Sequence, residues 1–251
     1  MIFCAMFILG ILLGFAGAGG AGLTITLLSV GFGVSIHTAL GVALAAMSFT
    51  MLSGTISHFR EGDVLLNLGI TTGIAGMLGA FAGACISSTI PSNILSKITA
   101  LLLLSSSILL YFILFRKDML DAFVAKHASK AEGLNFYAHA VCIGLLTGFL
   151  SGAFGIGATA FIQISLMLFF GISLYHAIGT TMLVIFPISV SGGLGYLING
   201  HLDTAIFLQT LGGLTLGAYF GAKLTRLASR NVLRYIILSM PSIGGLLLFL
   251  Q

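Results

Sequence analysis

Two short glycine clusters interrupt long apolar stretches of the chain: Gly17-Ala18-Gly19-Gly20 and Gly155-Ile156-Gly157-Ala158. A helix that restarts after such a break presents first-turn amide groups with no intrahelical acceptor, together with the positive end of its dipole. Those donors suit an anion, and glycine lets a ligand come close to the backbone. Glycine clusters also serve tight helix packing, so each cluster alone is a weak signal; its occurrence twice favours a binding site. Hydroxyl and amide side chains extend the candidate set. Ser53 and Ser191 each precede a glycine, and Gln163 and Thr180 sit in apolar stretches, with Thr24, Ser48, Thr50 and Thr181 nearby. Membrane serines and threonines commonly bond a carbonyl of their own helix, whereas a glutamine is more costly to bury and stands out.

The chemistry that is missing narrows the reading. Glu61, Asp63, Asp118, Asp121, Glu132 and Asp203 all fall in loops, in a polar linker or at the ends of apolar stretches. A cation path or a proton relay through a buried carboxylate is therefore disfavoured. His58, His139 and His176 lie near span ends, and His37, His127 and His201 read as loop residues. Cys4, Cys85 and Cys142 are separate singletons that read as small buried hydrophobes, and Met47 and Met51, one helical turn apart, read as core. HExxH and GxSxG do not occur, so no catalytic residue, metal or cofactor is expected.

The elements that must position the clusters follow from composition. The chain is 58% hydrophobic and only 6% charged, with a mean hydropathy of +1.17. A soluble domain carries about 25% charged residues, so the solvent here must be a lipid bilayer. The N-terminal run MIFCAMFILGILLGF has no basic region or clear cleavage site, which predicts a first membrane segment and not a removable signal. The net charge of +4 needs no nucleic-acid partner, since no basic patch interleaved with aromatics occurs.

An ungapped internal repeat organises the whole. Gly14 to Gly19 aligns with Gly152 to Gly157 at an offset of 152 − 14 = 138. The same register pairs Gly33 with Gly171, Ser35 with Ser173, Gly41 with Gly179, Ser53-Gly54 with Ser191-Gly192, Gly62 with Gly200, and Gly79 with Gly217. Each copy reads as a glycine-broken stretch (about 2–33 and 136–171) followed by three spans, about 36–58, 64–88 and 95–115, then 174–198, 203–226 and 231–250. The predicted division is a first membrane repeat at 1–115, a polar linker at 116–134 and a second membrane repeat at 135–251.

Lysine and arginine choose the topology. If each broken stretch crosses once, the basic residues divide between the two faces. If each is a re-entrant hairpin of two half-length helices, Arg60, Arg116, Lys117, Lys126, Lys130, Lys223, Arg226, Arg230 and Arg234 share one face and Lys97 alone takes the other. The second arrangement obeys the positive-inside rule. The predicted fold is thus an all-α, polytopic membrane protein of two inverted repeats, each a glycine-broken re-entrant hairpin plus three transmembrane helices, a recurring transporter design. It places the protein in the plasma membrane, the linker in the cytoplasm and both termini outside, with the clusters facing each other near the midplane around a small anion. An inside-negative potential would favour anion exit by about 2.3 kcal/mol per charge per 100 mV, roughly fifty-fold.

The run Gly148-Phe-Leu-Ser151-Gly152-Ala-Phe-Gly155-Ile-Gly157 resembles the opening signature of the TauE/SafE family of sulfite-exporter-like permeases. Ala177-Ile-Gly179-Thr180-Thr181 and Gly217-Ala-Tyr-Phe-Gly221-Ala222 resemble its later motifs, and Gly14–Gly20, Ala39–Gly41 and Gly79–Ala84 repeat them in the first half. The resemblance covers nearly the whole chain outside the linker. It implies transport of sulfur-containing or organic anions such as sulfite, sulfoacetate or sulfonates. Where such families carry a third glycine and a proline, this chain reads Gly157-Ala158-Thr159-Ala160-Phe161, followed by Gln163. An anion channel, a carrier of a different small solute, and a non-transporting subunit are the other readings of the same residues. The oligomeric state stays open, a homodimer among the options.

Overall fold

The computed structural model describes residues 1–16, 21–116, 134–156, 158–225 and 230–250. Helices account for almost all of them: α1 (Ile2–Ala16), α2 (Ala21–Thr26, prolonged by a π-turn over Leu27–Gly31), α3 (Ile36–Glu61), α4 (Leu66–Ser87), α5 (Ser92–Phe115), α6 (Leu134–Phe154), α7 (Thr159–Phe170), α8 (Leu174–Ile198), α9 (Thr204–Thr225) and α10 (Arg230–Phe249). Five of them, α3 to α6 and α8, are long and apolar enough to cross a membrane. Large apolar side chains such as Ile74, Leu78, Leu101, Ile108 and Leu146 point outward, as a lipid-facing surface requires. The chain is a polytopic helical membrane protein.

The same local devices recur in both halves. Ser35 and Ser173 cap α3 and α8, their hydroxyls accepting the N–H of Thr38 and His176. Gly62 and Gly200, both left-handed (φ 80° and 73°), reverse the chain after α3 and α8, and the next amide bonds back to His58 O or Tyr196 O. A side chain there would strain the turn. The helix pairings are exchanged between halves: α4 packs on α6 and its counterpart α9 on α1, while α3 packs on α8 and α5 on α10.

The two broken stretches are held by backbone-to-backbone contact. A Cβ on Gly144, Gly148 or Gly152 of α6 would collide with the carbonyl oxygens of Thr72, Gly76 and Ala80 on α4. The partners advance together along both chains, so α4 and α6 run parallel. On the other side Gly213 and Gly217 of α9 meet the carbonyls of Phe3 and Phe7 in the same rising order, so α1 and α9 are parallel as well. In lipid, where apolar side chains gain little by leaving their solvent, such close approach is what holds helices together.

The second broken stretch folds back on itself. Phe136 and His139 near the start of α6 pack edge-on and tilted against Phe170 and Phe169 at the end of α7, with ring centroids 5.1 Å apart in both pairs. The arms are unequal, 21 residues in α6 against 12 in α7, and not two half-length pieces. The reason lies in the first turns of α6, where Asn135, Tyr137 and His139 add polar, interfacial residues ahead of the apolar run.

The loop between α8 and α9 docks on the start of α3. A Cβ on Gly41 would lie 2.9 Å from His201 O, and Gly179 is equally close-packed against Asp63 O at its repeat-related position. His37 is a residue of the first turn of α3 and not of a loop; its Nε2 lies 3.1 Å from both Ser87 O and Ile90 O and therefore carries the proton. His201 stacks on it at 5.0 Å and 27°. Burial, then the charge of His37, lowers the pKa of His201. Asp203, the nearest acidic residue along the chain, accepts the N–H of Ile206 with its Oδ1.

Gly148→Leu should destabilise the α4–α6 pair by about 3 kcal/mol, in the overpacking range, read as a lower unfolding midpoint in detergent; an unchanged midpoint would contradict the backbone contact. A histidine whose folded pKa is depressed contributes stability above its unfolded pKa, near about 6.5, and loses it as pH falls toward the folded value. Melting temperature should therefore drop as pH falls below about 6.5, and His201→Asn should flatten that slope. A variant that retains the full slope would show that the histidine pair does not set it.

Candidate anion cavity

The break after α6 holds two left-handed residues among those described. Gly155 has φ 63° and Ala158 has φ 46°, the one non-glycine residue with positive φ among those described. Backbone of this kind costs an alanine roughly 1 kcal/mol or more and marks functional sites often. Gly155 has no room for a side chain: its Cβ would fall 2.5 Å from Leu40 Cδ2 and 2.9 Å from Ile25 Cδ1. The turn is tied from behind by Tyr196, whose buried hydroxyl donates to Ser87 Oγ (2.9 Å) and lies 3.2 Å from Ala153 O.

What the turn exposes is the start of α7. Ile162 N–H reaches Ala158 O at 2.8 Å, the first bond of the new helix among the described residues. The amides of Thr159 and Ala160 precede it and have no acceptor among the described residues. This end opens on a cavity of about 190 Å³. Ile156, Thr159 and Gln163 line it from the second half, and Gly22 and Leu23, at the start of α2, line it from the first. Both breaks thus deliver their following helix to one space. Met51 of α3, Ser106 of α5, Met182 of α8 and Met240 and Pro241 of α10 close the walls.

Gln163 is 7% exposed, lines the cavity, and has no hydrogen bond to any described residue. A buried amide with neither donor nor acceptor matched costs on the order of 1–3 kcal/mol, unless water or a ligand occupies the space before it. Its repeat-related position in the first half is Ile25, because 163 − 138 = 25. The first half thus offers no amide there, and its polar contribution to the lining is Ser106.

Of the candidate residues, Gly155, Ile156, Ala158 and Gln163 form the break and its cavity wall. Gly17, Ala18, Gly19, Gly20 and Gly157 lie outside the described residues. Ser191 donates to Met77 O at 2.8 Å and ties α8 to α4; Thr180 accepts the N–H of Leu65 at 3.0 Å and fixes the start of α4. Ser53 is exposed on the outside of α3. None of these three lines the cavity. Ser48 and Thr50 bond carbonyls of their own helix. Thr159 and Ser106 are lining residues that the glycine and hydroxyl motifs did not single out; Thr159 was marked by its position directly after the break, Ser106 by nothing stronger than a run of three serines. Away from the cavity, His58 Nδ1 lies 3.5 Å from Glu61 and 3.7 Å from Asp63 at the end of α3, a half-buried cluster whose residues do not line the cavity.

The sulfite exporter TauE/SafE family matches residues 2–248. A probable membrane transporter protein of Bacillus subtilis, YdhB, is 45% identical over 250 residues, covering 99% of both chains. A second from the same organism, YunE, is 27% identical over 79% of this chain and 74% of its own, and MJ0441 of Methanocaldococcus jannaschii is 26% identical over 97% and 92%. No solved structure matches the chain. With the family's pattern spanning nearly every residue of a polytopic helical bundle, the chain belongs to the TauE/SafE family of membrane transporters.

Proposed function

We propose that the protein carries small sulfur-containing or organic anions, of the sulfite, sulfoacetate and sulfonate kind, out of the cell. The anion binds at the start of α7, in the cavity shared with the start of α2. The observation that carries this reading is Gln163: buried, without a partner among the described residues, and facing that cavity beside amides that likewise have no acceptor there. Such a constellation offers hydrogen-bond donors and a helix dipole to a negative ligand. The exchanged helix pairings support two inverted repeats, 1–115 and 135–251, around the cavity. Under that inversion the many basic residues share one face, which puts the 116–134 linker in the cytoplasm and the termini outside. Outward transport then runs with the membrane potential and needs no buried carboxylate.

The test is anion flux in proteoliposomes, wild type beside Gln163→Leu. A hydrogen bond to a charged group is worth about 1.5–3 kcal/mol, so the variant should lose roughly tenfold to a hundredfold in apparent affinity while keeping its unfolding midpoint. Equal affinity in both proteins would take Gln163 out of the site. In the wild type, imposing an inside-negative potential without ion gradients should drive net anion exit; strict dependence on a proton or sodium gradient at zero potential would contradict the uncoupled path.

A further inference from the structure

The cavity's lining says which anions it takes. Its described walls hold three polar side chains, Ser106, Thr159 and Gln163, and none that is charged. Thr159 and Gln163 flank the amides at the start of α7, and Ser106 adds one hydroxyl from α5. The rest of the lining is aliphatic or thioether, with Leu23, Leu103, Leu110, Met182 and Met240 among it. Neither threonine of α2 lines the cavity, and the Thr26 hydroxyl lies 2.9 Å from Gly22 O and 3.0 Å from Gly244 O.

We propose that the ligand is a univalent anion with an apolar body: an oxyanion head at the start of α7 and an alkyl tail against the leucines and methionines. The inference rests on the anion reading above and narrows it. Stripping water from an ion costs free energy that grows with the square of its charge. A dianion placed here would meet neutral donors alone among the described residues, whereas a monoanion asks a quarter as much. Apolar walls reward each methylene that leaves water and give nothing to a second charge. Pockets of this composition orient a ligand through a few polar groups and hold it by its apolar part. Polar groups beside the start of α7 and a lining otherwise dominated by leucine, isoleucine and methionine suit a ligand with two unlike ends.

A competition assay in proteoliposomes decides it, with methanesulfonate, butanesulfonate, sulfate and sulfoacetate as probes. Affinity should rise up to about fourfold for each added methylene from methanesulfonate to butanesulfonate, and both dianions should compete at least tenfold more weakly than butanesulfonate. In Leu103→Gln, which puts an amide among the apolar lining residues, the chain-length gain should shrink while methanesulfonate affinity holds. Dianions that compete as well as butanesulfonate, or a flat chain-length series in the wild type, overturn the inference and leave the anion reading standing. If none of the four probes binds, the anion reading fails and this inference fails with it. Should Leu103→Gln not fold, the wild-type series alone still supports or overturns the inference.

Discussion

An amide group that leaves its helix inside hydrocarbon must find an acceptor in protein, in trapped water or in a ligand, because lipid offers none. That constraint shapes the molecule. The chain breaks its helical ladder between α6 and α7, and it does so where Leu40, Ile25 and Tyr196 wrap the turn from behind and a cavity meets its open side. The left-handed Ala158 carries a backbone cost, and the Gln163 amide, open to the cavity, can be matched by water or a ligand there. A break placed on the lipid face would have carried the same cost with nothing to balance it.

Holding such a break steady requires rigid neighbours, and the two glycine-lined interfaces provide them. α6 lies with its backbone on that of α4, and α1 lies likewise on α9, so each broken stretch is clasped by a helix of the opposite half. Small residues matter here because a bilayer gives little drive for burying larger ones, and direct backbone contact supplies the dispersion energy and shape that fix depth and register.

Much of this was legible in the chain. Span positions followed from apolar length, and α3, α4, α5, α8, α9 and α10 begin and end within a few residues of the expected bounds. The repeat stood out because glycines that reverse or contact backbone cannot drift: Gly33 with Gly171 and Gly62 with Gly200 keep paired left-handed turns. What stayed hidden was direction around each helix. These helices are apolar on every side, so no stripe tells which face meets the cavity. Ser53 and Ser191 occupy related positions, yet one faces outward and the other bonds Met77 O. Thr180 looked like a lining hydroxyl and is a brace for the next loop. Gln163 was legible for an opposite reason, since an amide at that depth needs a partner whichever way it turns.

The most direct test of anion binding at the break places a reporter there. Thr159→Cys, in a background where Cys4, Cys85 and Cys142 are replaced, puts one thiol at the start of α7. Labelling by a small membrane-impermeant thiol reagent, with and without saturating anion, then asks whether that position faces water and whether the anion covers it. The expected result is labelling of Thr159→Cys that the transported anion slows and that a non-transported solute leaves alone. A thiol that labels at the same rate with or without anion would contradict binding at this break.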